Sequence, residues 1–278
     1  MPRTLVLDFD GSVGPLPGAE TFPLRDREEE IRFSCRRAAL ESLPQFGDAD
    51  VTFLGSGDFH HVSYTLLARR QSPMQVVVFD NHPDNMRYPF GIHCGSWVWH
   101  AARLPHVARI HVVGINSGDV EGAHALENHL GALRSGKVVY WCLGRNLRAL
   151  RLLGVRASQS FSSAADLLDA LGRELSRHPV YLSIDKDVLA DDIVRTNWDQ
   201  GVIRFEDLEA AIAMLRGTIV AADIVGDVSA YRYRSPFKRL LSALDGQPEI
   251  EARSLASWQE GHRQVNLRLL ELFAPHFD

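Results

Sequence analysis

The stretch Val76-Val77-Val78-Phe79-Asp80-Asn81-His82-Pro83-Asp84 runs an apolar segment into Asp-x-His-x-Asp. Extended chain turns alternate side chains to one face, about 6.5–7 Å apart. If the chain curls after the strand, Asp80, His82 and Asp84 converge on one point. Carboxylates with an imidazole form a ligand set for a first-row divalent metal. The plain alternative is a polar loop behind a buried strand, with His82 at the surface. A second stretch, Val180-Tyr181-Leu182-Ser183-Ile184-Asp185-Lys186-Asp187, ends in Asp-x-Asp. Asp185 and Asp187 share a face, and Lys186 points the other way. Alone this reads equally as a solvated strand end with a weak surface ion pair. Two such ends in one parallel sheet open on the same edge, and four crowded carboxylates repel one another unless cations lie among them. Two divalent ions match four negative charges with four positive ones. A third strand end, Leu54-Gly55-Ser56-Gly57-Asp58-Phe59-His60-His61, is glycine-rich and enters a helix. Either His60 or His61 could complete a metal shell; spacing does not choose. A phosphate-binding turn at a helix N-terminus is the competing reading, but neither GxGxxG nor a P-loop is present.

The elements that must position these residues alternate in type. Apolar and β-branched runs predict strands over Thr4–Phe9, Val51–Leu54, Gln75–Phe79, Ile110–Gly114, Lys137–Cys142, Val180–Ile184 and Ile219–Ile224, with a weaker eighth over Ala157–Phe161. Continuous apolar runs suit parallel strands covered on both faces. Helices are expected over Ser63–Arg70, Gly122–Leu133, Ser163–Leu175, Phe205–Leu215 and Leu255–Phe273. Ser162 or Ser163 would cap the third of these. The alternation predicts a single α/β domain: a doubly wound, mainly parallel sheet of about eight strands, with the ligand site outside the carboxyl ends of the strands.

Composition narrows the classes. The chain has 278 residues, 45% hydrophobic and 23% charged, which excludes disorder, collagen and a disulfide miniprotein. A net charge of −5 argues against a nucleic-acid or anionic-membrane partner. The three cysteines, Cys35, Cys94 and Cys142, form no CxxC. With an N-terminus unlike a signal peptide, this predicts a cytoplasmic protein. No apolar run reaches the roughly 20 residues of a membrane span.

At these residues the sequence resembles the arginase/agmatinase (ureohydrolase) superfamily, whose fold is distantly shared with histone deacetylases. Gly-Ser-Gly-Asp-Phe-His60 stands where the family has Gly-Gly-Asp-His; Asp80-Asn-His82-Pro-Asp84 matches Asp-Ala-His-x-Asp; Ser183-Ile-Asp185-Lys-Asp187 matches Ser-x-Asp-x-Asp; Ala222-Asp223-Ile224-Val225 is similar to a late Leu-Asp-Ile-x-Glu strand. The motifs occur in family order and span most of the chain. The resemblance implies two Mn2+ ions, with Zn2+ or Fe2+ as alternatives. One would take His60, Asp80, Asp84 and Asp185; the other His82, Asp80, Asp185 and Asp187, so that Asp80 and Asp185 bridge. Such ions sit about 3.5–4 Å apart and acidify a shared water. The implied reaction is hydrolysis of a non-peptide C–N bond (guanidino, amidino or amide) by a metal-bound hydroxide. His93, in Gly91-Ile92-His93-Cys94-Gly95, resembles the family's proton shuttle. Relatives of this kind are often oligomeric, so a homo-oligomer is compatible with the resemblance.

The chain also departs from the pattern. Gly226 stands where the family has the glutamate that holds a guanidinium, and Asp227 replaces it only if the backbone shifts by one residue. Arg87 and Arg195 are candidate anchors for a substrate carboxylate by charge, and Trp198 a candidate pocket wall. A non-catalytic, ligand-binding relative of the fold is therefore one alternative. Another is the strand end Leu5-Val6-Leu7-Asp8-Phe9-Asp10-Gly11, which resembles the first motif of haloacid-dehalogenase-type phosphatases, with Asp8 as nucleophile and Asp10 as acid/base. That chemistry would conscript Ser56, Lys137 or Lys186, and Asp191-Asp192.

Overall fold

Why the strand ends meet is a matter of register. In a computed structural model, which describes residues 2–175, 178–247 and 250–277, one sheet holds β1 (Thr4–Asp8), β2 (Glu20–Pro23), β3 (Val51–Gly55), β4 (Met74–Phe79), β5 (Val107–Ile115), β6 (Val138–Leu143), β7 (Gln159–Phe161), β8 (Val180–Asp185) and β9 (Ile219–Val225). Their spatial order is β2-β1-β3-β9-β8-β4-β5-β6-β7. Every pair is parallel, so all carboxyl ends open on one edge. Ile184 pairs with Phe79, which sets Asp185 beside Asp80 one residue later. Val225 pairs with Gly55, bringing the glycine-rich end of β3 to the same place.

The alternation of side chains divides the core in two. Val76 and Val78 face one apolar cluster, and Val77 and Phe79 face the other. The helices Val62–Ala68 and Trp97–Ala102 cover the first face. Those at Ala164–Glu174, Phe205–Met214 and Ala252–Phe273 cover the second. Each fully buried Val, Leu, Ile or Phe adds about 1.5–3 kcal/mol, enough to hold charged strand ends in place. Ser163 caps its helix by accepting from the Asp166 amide, as its position predicts.

Three expectations change. The sheet has nine strands, because β2 forms an edge. It is only four residues long, mostly exposed and ends at Pro23, so it lacks an apolar run; short edges of this kind resist pairing with another chain. The helix expected over Gly122–Leu133 is broken into a short turn at His124–Glu127 and a helix at Leu130–Arg134. Asn128 interrupts it in extended conformation: it bridges to Met86 and accepts a hydrogen bond from Tyr140 (2.6 Å). Tertiary contacts here outweigh helix periodicity. Finally, the short amphipathic helices Trp97–Ala102 and Pro236–Leu244 carry too few turns to stand out in the sequence.

Candidate metal centre

Asp80 follows β4, where its amide still donates to Val113 O (3.0 Å). Its Oδ1 accepts from the His82 amide at 2.6 Å, turning the chain back on itself. Asp84 completes the curl at φ 45°, a left-handed backbone that costs a non-glycine residue about 1–3 kcal/mol. Trp97 Nε1 holds its Oδ2 at 2.7 Å, and the Val98 amide holds its carbonyl at 3.0 Å. On β8, Asp185 Oδ1 accepts from the Asp187 amide at 3.0 Å. Asp187 Oδ1 accepts from the Asn81 amide at 3.1 Å, fastening the two strand ends together.

The imidazoles face these carboxylates. His60 Nδ1 lies 2.9 Å from Asp84 Oδ2, 3.2 Å from Asp80 Oδ2 and 3.4 Å from Asp185 Oδ2. Its other nitrogen, Nε2, is 3.0 Å from Ser183 Oγ. Ser183 in turn donates to Asp223 Oδ1 (2.7 Å), whose Oδ2 accepts from Tyr181 (2.6 Å). Such a relay fixes the ring and its tautomer. His82 Nδ1 lies 2.9 Å from Asp187 Oδ2 and 3.6 Å from Asp80 Oδ1, while Nε2 is 2.8 Å from Asp199 Oδ1. Two ligand groups result, His60–Asp80–Asp84 and Asp80–His82–Asp187, and Asp80 belongs to both.

These residues fit a pair of divalent cations on two counts. Asp80 Oδ2 is buried yet takes no aligned hydrogen bond, a costly state without a partner. The electrostatics point the same way. Burial, then Asp80, pushes the Asp84 carboxyl up to about 7. Burial raises Asp185 to about 6, with Asp80 adding and His60 opposing. Asp187 is raised well above the carboxylate range by burial, Asp185 and Asp80. Burial disfavours charge on both histidines, but Asp80 and Asp84 still raise His60, and Asp187 raises His82. Without cations the cluster therefore retains protons.

The floor just described opens into a cavity of about 210 Å³. Trp198 lines it, its ring parallel to Phe33 at 6.2 Å. Gly57 lines it too, where a Cβ would stand 3.0 Å from the Trp198 ring and 3.2 Å from Asp185 Oδ2. His93 also reaches the cavity, its Nδ1 accepting from the Gly95 amide (2.9 Å) and its Nε2 3.6 Å from Asp245 Oδ2. Burial, helped by the charge of Lys238, lowers its pKa to about 3. His93 is neutral at physiological pH, rather than titrating in the middle of the range as its type suggests.

Other expected site residues lie elsewhere. Asp227 is fully buried 2.7 Å from Lys186 Nζ and accepts from Asn266 Nδ2 (2.9 Å); it faces an internal lysine and not the cavity. Gly226 has φ 92°, and a Cβ there would stand 2.4 Å from Asp185 Oδ1 and 2.7 Å from the Lys186 amide. A glutamate at this position is barred by the backbone. Arg87 is exposed and donates to the Leu126 carbonyl. Arg195 is exposed and pairs with Asp191 at 3.0 Å. Neither lines the cavity. Of the two adjacent histidines, His60 lines it and His61 does not.

The phosphatase alternative also loses its parts. Asp8 is held by Arg25 and the Gly11 amide, and Asp10 by Arg32 and Ser12. Lys137 lies just before β6, at the opposite edge of the sheet, and Asp192 pairs with Arg204. Sequence reasoning missed Asp199 as the partner of His82, although the loop carrying it follows Asp187 closely. It also missed Asp119, Glu127 and Asp245, which line the cavity mouth from loops without any motif.

No protein-family model matches the chain. An uncharacterised protein of Thermotoga maritima is 31% identical over 235 residues, covering 81% of this chain and 80% of that protein. Among solved structures, a hypothetical agmatinase from Burkholderia thailandensis aligns over 97% of this chain and 86% of its own, with 14% identity and a TM-score of 0.51. Proclavaminate amidino hydrolase from Streptomyces clavuligerus aligns over 94% and 93%, with 17% identity and a TM-score of 0.47. Agmatine ureohydrolase of Thermoplasma volcanium aligns over 79% of this chain, which spans 64% of that one, with 17% identity and a TM-score of 0.47. The resemblance read from the motifs holds at the level of the fold.

Proposed function

We propose that this chain, which belongs to one family with the Thermotoga maritima protein and has the arginase/agmatinase fold, is a metal-dependent hydrolase of a non-peptide C–N bond in a small molecule. The observation that carries this reading is the pair of His/Asp groups sharing Asp80 at the floor of a cavity. His60, Asp80 and Asp84 would hold one ion, and Asp80, His82 and Asp187 the other, with Asp185 beside both. Oxygen-rich ligation with one imidazole per ion suits manganese. Bound there, the ions supply a water acidified to near neutrality and polarisation of a trigonal carbon in a guanidino, amidino or amide group.

The chain's own residues do the rest. Ser183 and Asp223 keep His60 turned so that Nδ1 faces the carboxylates. Asp199 does the same for His82. Trp198 lines the cavity, backed by the buried ring of Phe33, and would exclude water beside the reacting carbon. His93 has its Nδ1 occupied by the Gly95 amide, so Nε2 carries its proton toward Asp245. A neutral imidazole so placed relays a proton at Nε2 without storing one. Guanidinium recognition cannot use a side chain at position 226 and falls to the cavity's other carboxylates. No helix among the described residues is long and apolar enough to cross a membrane, and three buried free cysteines suit a reducing, cytoplasmic setting.

The test is metal content and turnover together. Protein reconstituted with manganese should retain about two equivalents and release urea or ammonia from a guanidino, amidino or amide compound. Asp185→Asn should lose turnover. Protein that retains no divalent ion and turns over none of these compounds would falsify the reading.

A further inference from the structure

On the reading of the two His/Asp groups as a metal centre, we propose that Lys186 is a positioning residue for it. With Asp227 and Asn266, Lys186 forms a clamp behind the floor that holds the turn carrying Asp185 and Asp187. Lys186 follows β8 and Asp227 lies just past β9. Both side chains are fully buried, and Lys186 Nζ is 2.7 Å from Asp227 Oδ1. The ammonium also donates to Asn266 Oδ1 (2.7 Å), and Asn266 Nδ2 donates to Asp227 Oδ1 (2.9 Å). Two strand ends and the helix Ala252–Phe273 thus close a triangle of polar contacts.

Alternation along β8 brings the lysine there. Leu182 and Ile184 face the apolar cluster that includes Val265 and Leu269 of the same helix. Lys186 continues their side of the strand, so its ammonium stands at the end of that layer, away from water. A buried ammonium without a partner is strongly destabilising, yet a buried pair is often no better than apolar side chains of the same size. Stability alone gives little reason for this pair. The fixed directions of its hydrogen bonds give one.

Those directions matter because the ends of β8 and β9 press on each other behind the floor. The backbone at Gly226 runs so close that a Cβ there would stand 2.4 Å from Asp185 Oδ1 and 2.7 Å from the Lys186 amide. Whatever holds Asp227, the next residue, therefore limits where Asp185 lies. Asp185 Oδ1 accepts from the Asp187 amide, so the two aspartates are coupled. The helix also grips the loop beyond them: one turn before Asn266, His262 Nε2 donates to Arg195 O (2.8 Å). That loop goes on to Trp198 in the cavity wall and to Asp199, the partner of His82. The β3 end is tied differently. The amides of Gly226 and Asp227 each donate to Gly55 O at 2.9 Å, main-chain bonds that do not depend on the side chain at 227. Loosening the clamp should therefore disturb the β8 turn more than His60. The ion held by Asp80, His82 and Asp187 should feel it more than the ion held by His60, Asp80 and Asp84.

Calorimetric titration of the metal-free full chain with manganese tests this, beside urea unfolding of the same proteins. Asp84→Asn and Asp187→Asn, each altering a ligand that belongs to one group only, assign the two binding steps. Lys186→Met combined with Asp227→Leu replaces the charged pair with apolar side chains. Its metal-free urea midpoint should match or exceed that of the unaltered chain. Its affinity at the Asp187 step should fall about 10–100-fold, the scale of losing a residue that orients a ligand, with the Asp84 step much less affected. Asp227→Asn keeps an oxygen for Lys186 and Asn266 to donate to, and should retain most of the affinity. Asn266→Leu removes one bond to the ammonium while the charges stay paired, and should show the same selective loss on a smaller scale. Equal weakening of both steps, or unchanged affinity in the double variant, overturns the clamp and leaves the metal centre standing. Should the double variant not fold, the selective loss in Asn266→Leu upholds the clamp, and its absence there overturns it. An unaltered chain that takes up no manganese overturns both readings.

Discussion

Two buried acidic clusters end strands of one sheet, and among the described residues only one of them is paired with an arginine or lysine. Behind β1, Asp10 and Asp58 flank Arg32, whose guanidinium lies 2.7 Å and 2.6 Å from them. All three side chains are almost completely buried, and the guanidinium also packs on Phe59 and Tyr231. At β4 and β8, Asp80, Asp84, Asp185 and Asp187 face two imidazoles and, among the described residues, no lysine or arginine. Lys186, between two of these aspartates in sequence, points away to Asp227. Both clusters begin with Asp-x-Asp after an apolar strand. The difference teaches that a carboxylate pair signals a ligand only when the fold withholds an internal partner.

The comparison breaks first on stability. Arg32→Met leaves Asp10 and Asp58 buried without a partner and should cost about 3–5 kcal/mol in urea unfolding. Asp187→Asn, which removes a charge already disfavoured by its neighbours, should leave the metal-free protein as stable or more so, and abolish stabilisation by manganese. Equal losses from the two variants would erase the contrast.

The second expected effect is on pH. The metal-free native state holds Asp84 and Asp185 protonated up to about 7 and about 6, whereas an unfolded aspartate titrates near 3.9. Protons bound more tightly by the native state stabilise it at low pH, so this contribution is lost as pH rises through that window. Manganese binding must displace the same protons. Calorimetry in buffers of different ionisation enthalpy should therefore show proton release at pH 6, with apparent affinity rising toward neutrality. No release at pH 6 contradicts the assignment of these carboxylates as ligands.

A smaller effect is expected at Asp199, whose hydrogen bond orients His82. Asp199→Ala should weaken manganese binding about 10–100-fold, the usual cost of losing such a partner, while Asp199→Asn retains part of it. Unchanged affinity in both makes the contact incidental. Smallest of all is Asp8→Asn, which removes a half-exposed pair with Arg25. Turnover should stay within about twofold and stability within about 1 kcal/mol; a dead enzyme would revive the phosphatase alternative.

Much of this was legible in the residues. Strands β3, β4, β8 and β9 are buried runs whose apolar character marks them, and the acids following β4 and β8 stand where the register brings them together. The cavity mouth was not legible, because Asp119, Glu127 and Asp245 come from segments far apart in sequence that no periodicity connects. Nor could spacing show that Asp227 turns toward Lys186, or that Arg87 and Arg195 face outward. Those outcomes depend on which side of the chain faces inward at the end of β9 and in two loops. The edge strand β2 escaped notice for the same reason that it works as an edge: it is short and polar.

Because every strand of the nine-stranded sheet runs the same way, the floor of the cavity belongs to that sheet and its mouth to loops. An ancestral chain could exchange the segment bearing Asp119 and Glu127, or the turn bearing Asp245, and leave the pairing of Ile184 with Phe79 undisturbed. On the proposed hydrolase reading, selectivity would then vary between lineages while the His/Asp floor stays constant, and differences among relatives should gather at the rim.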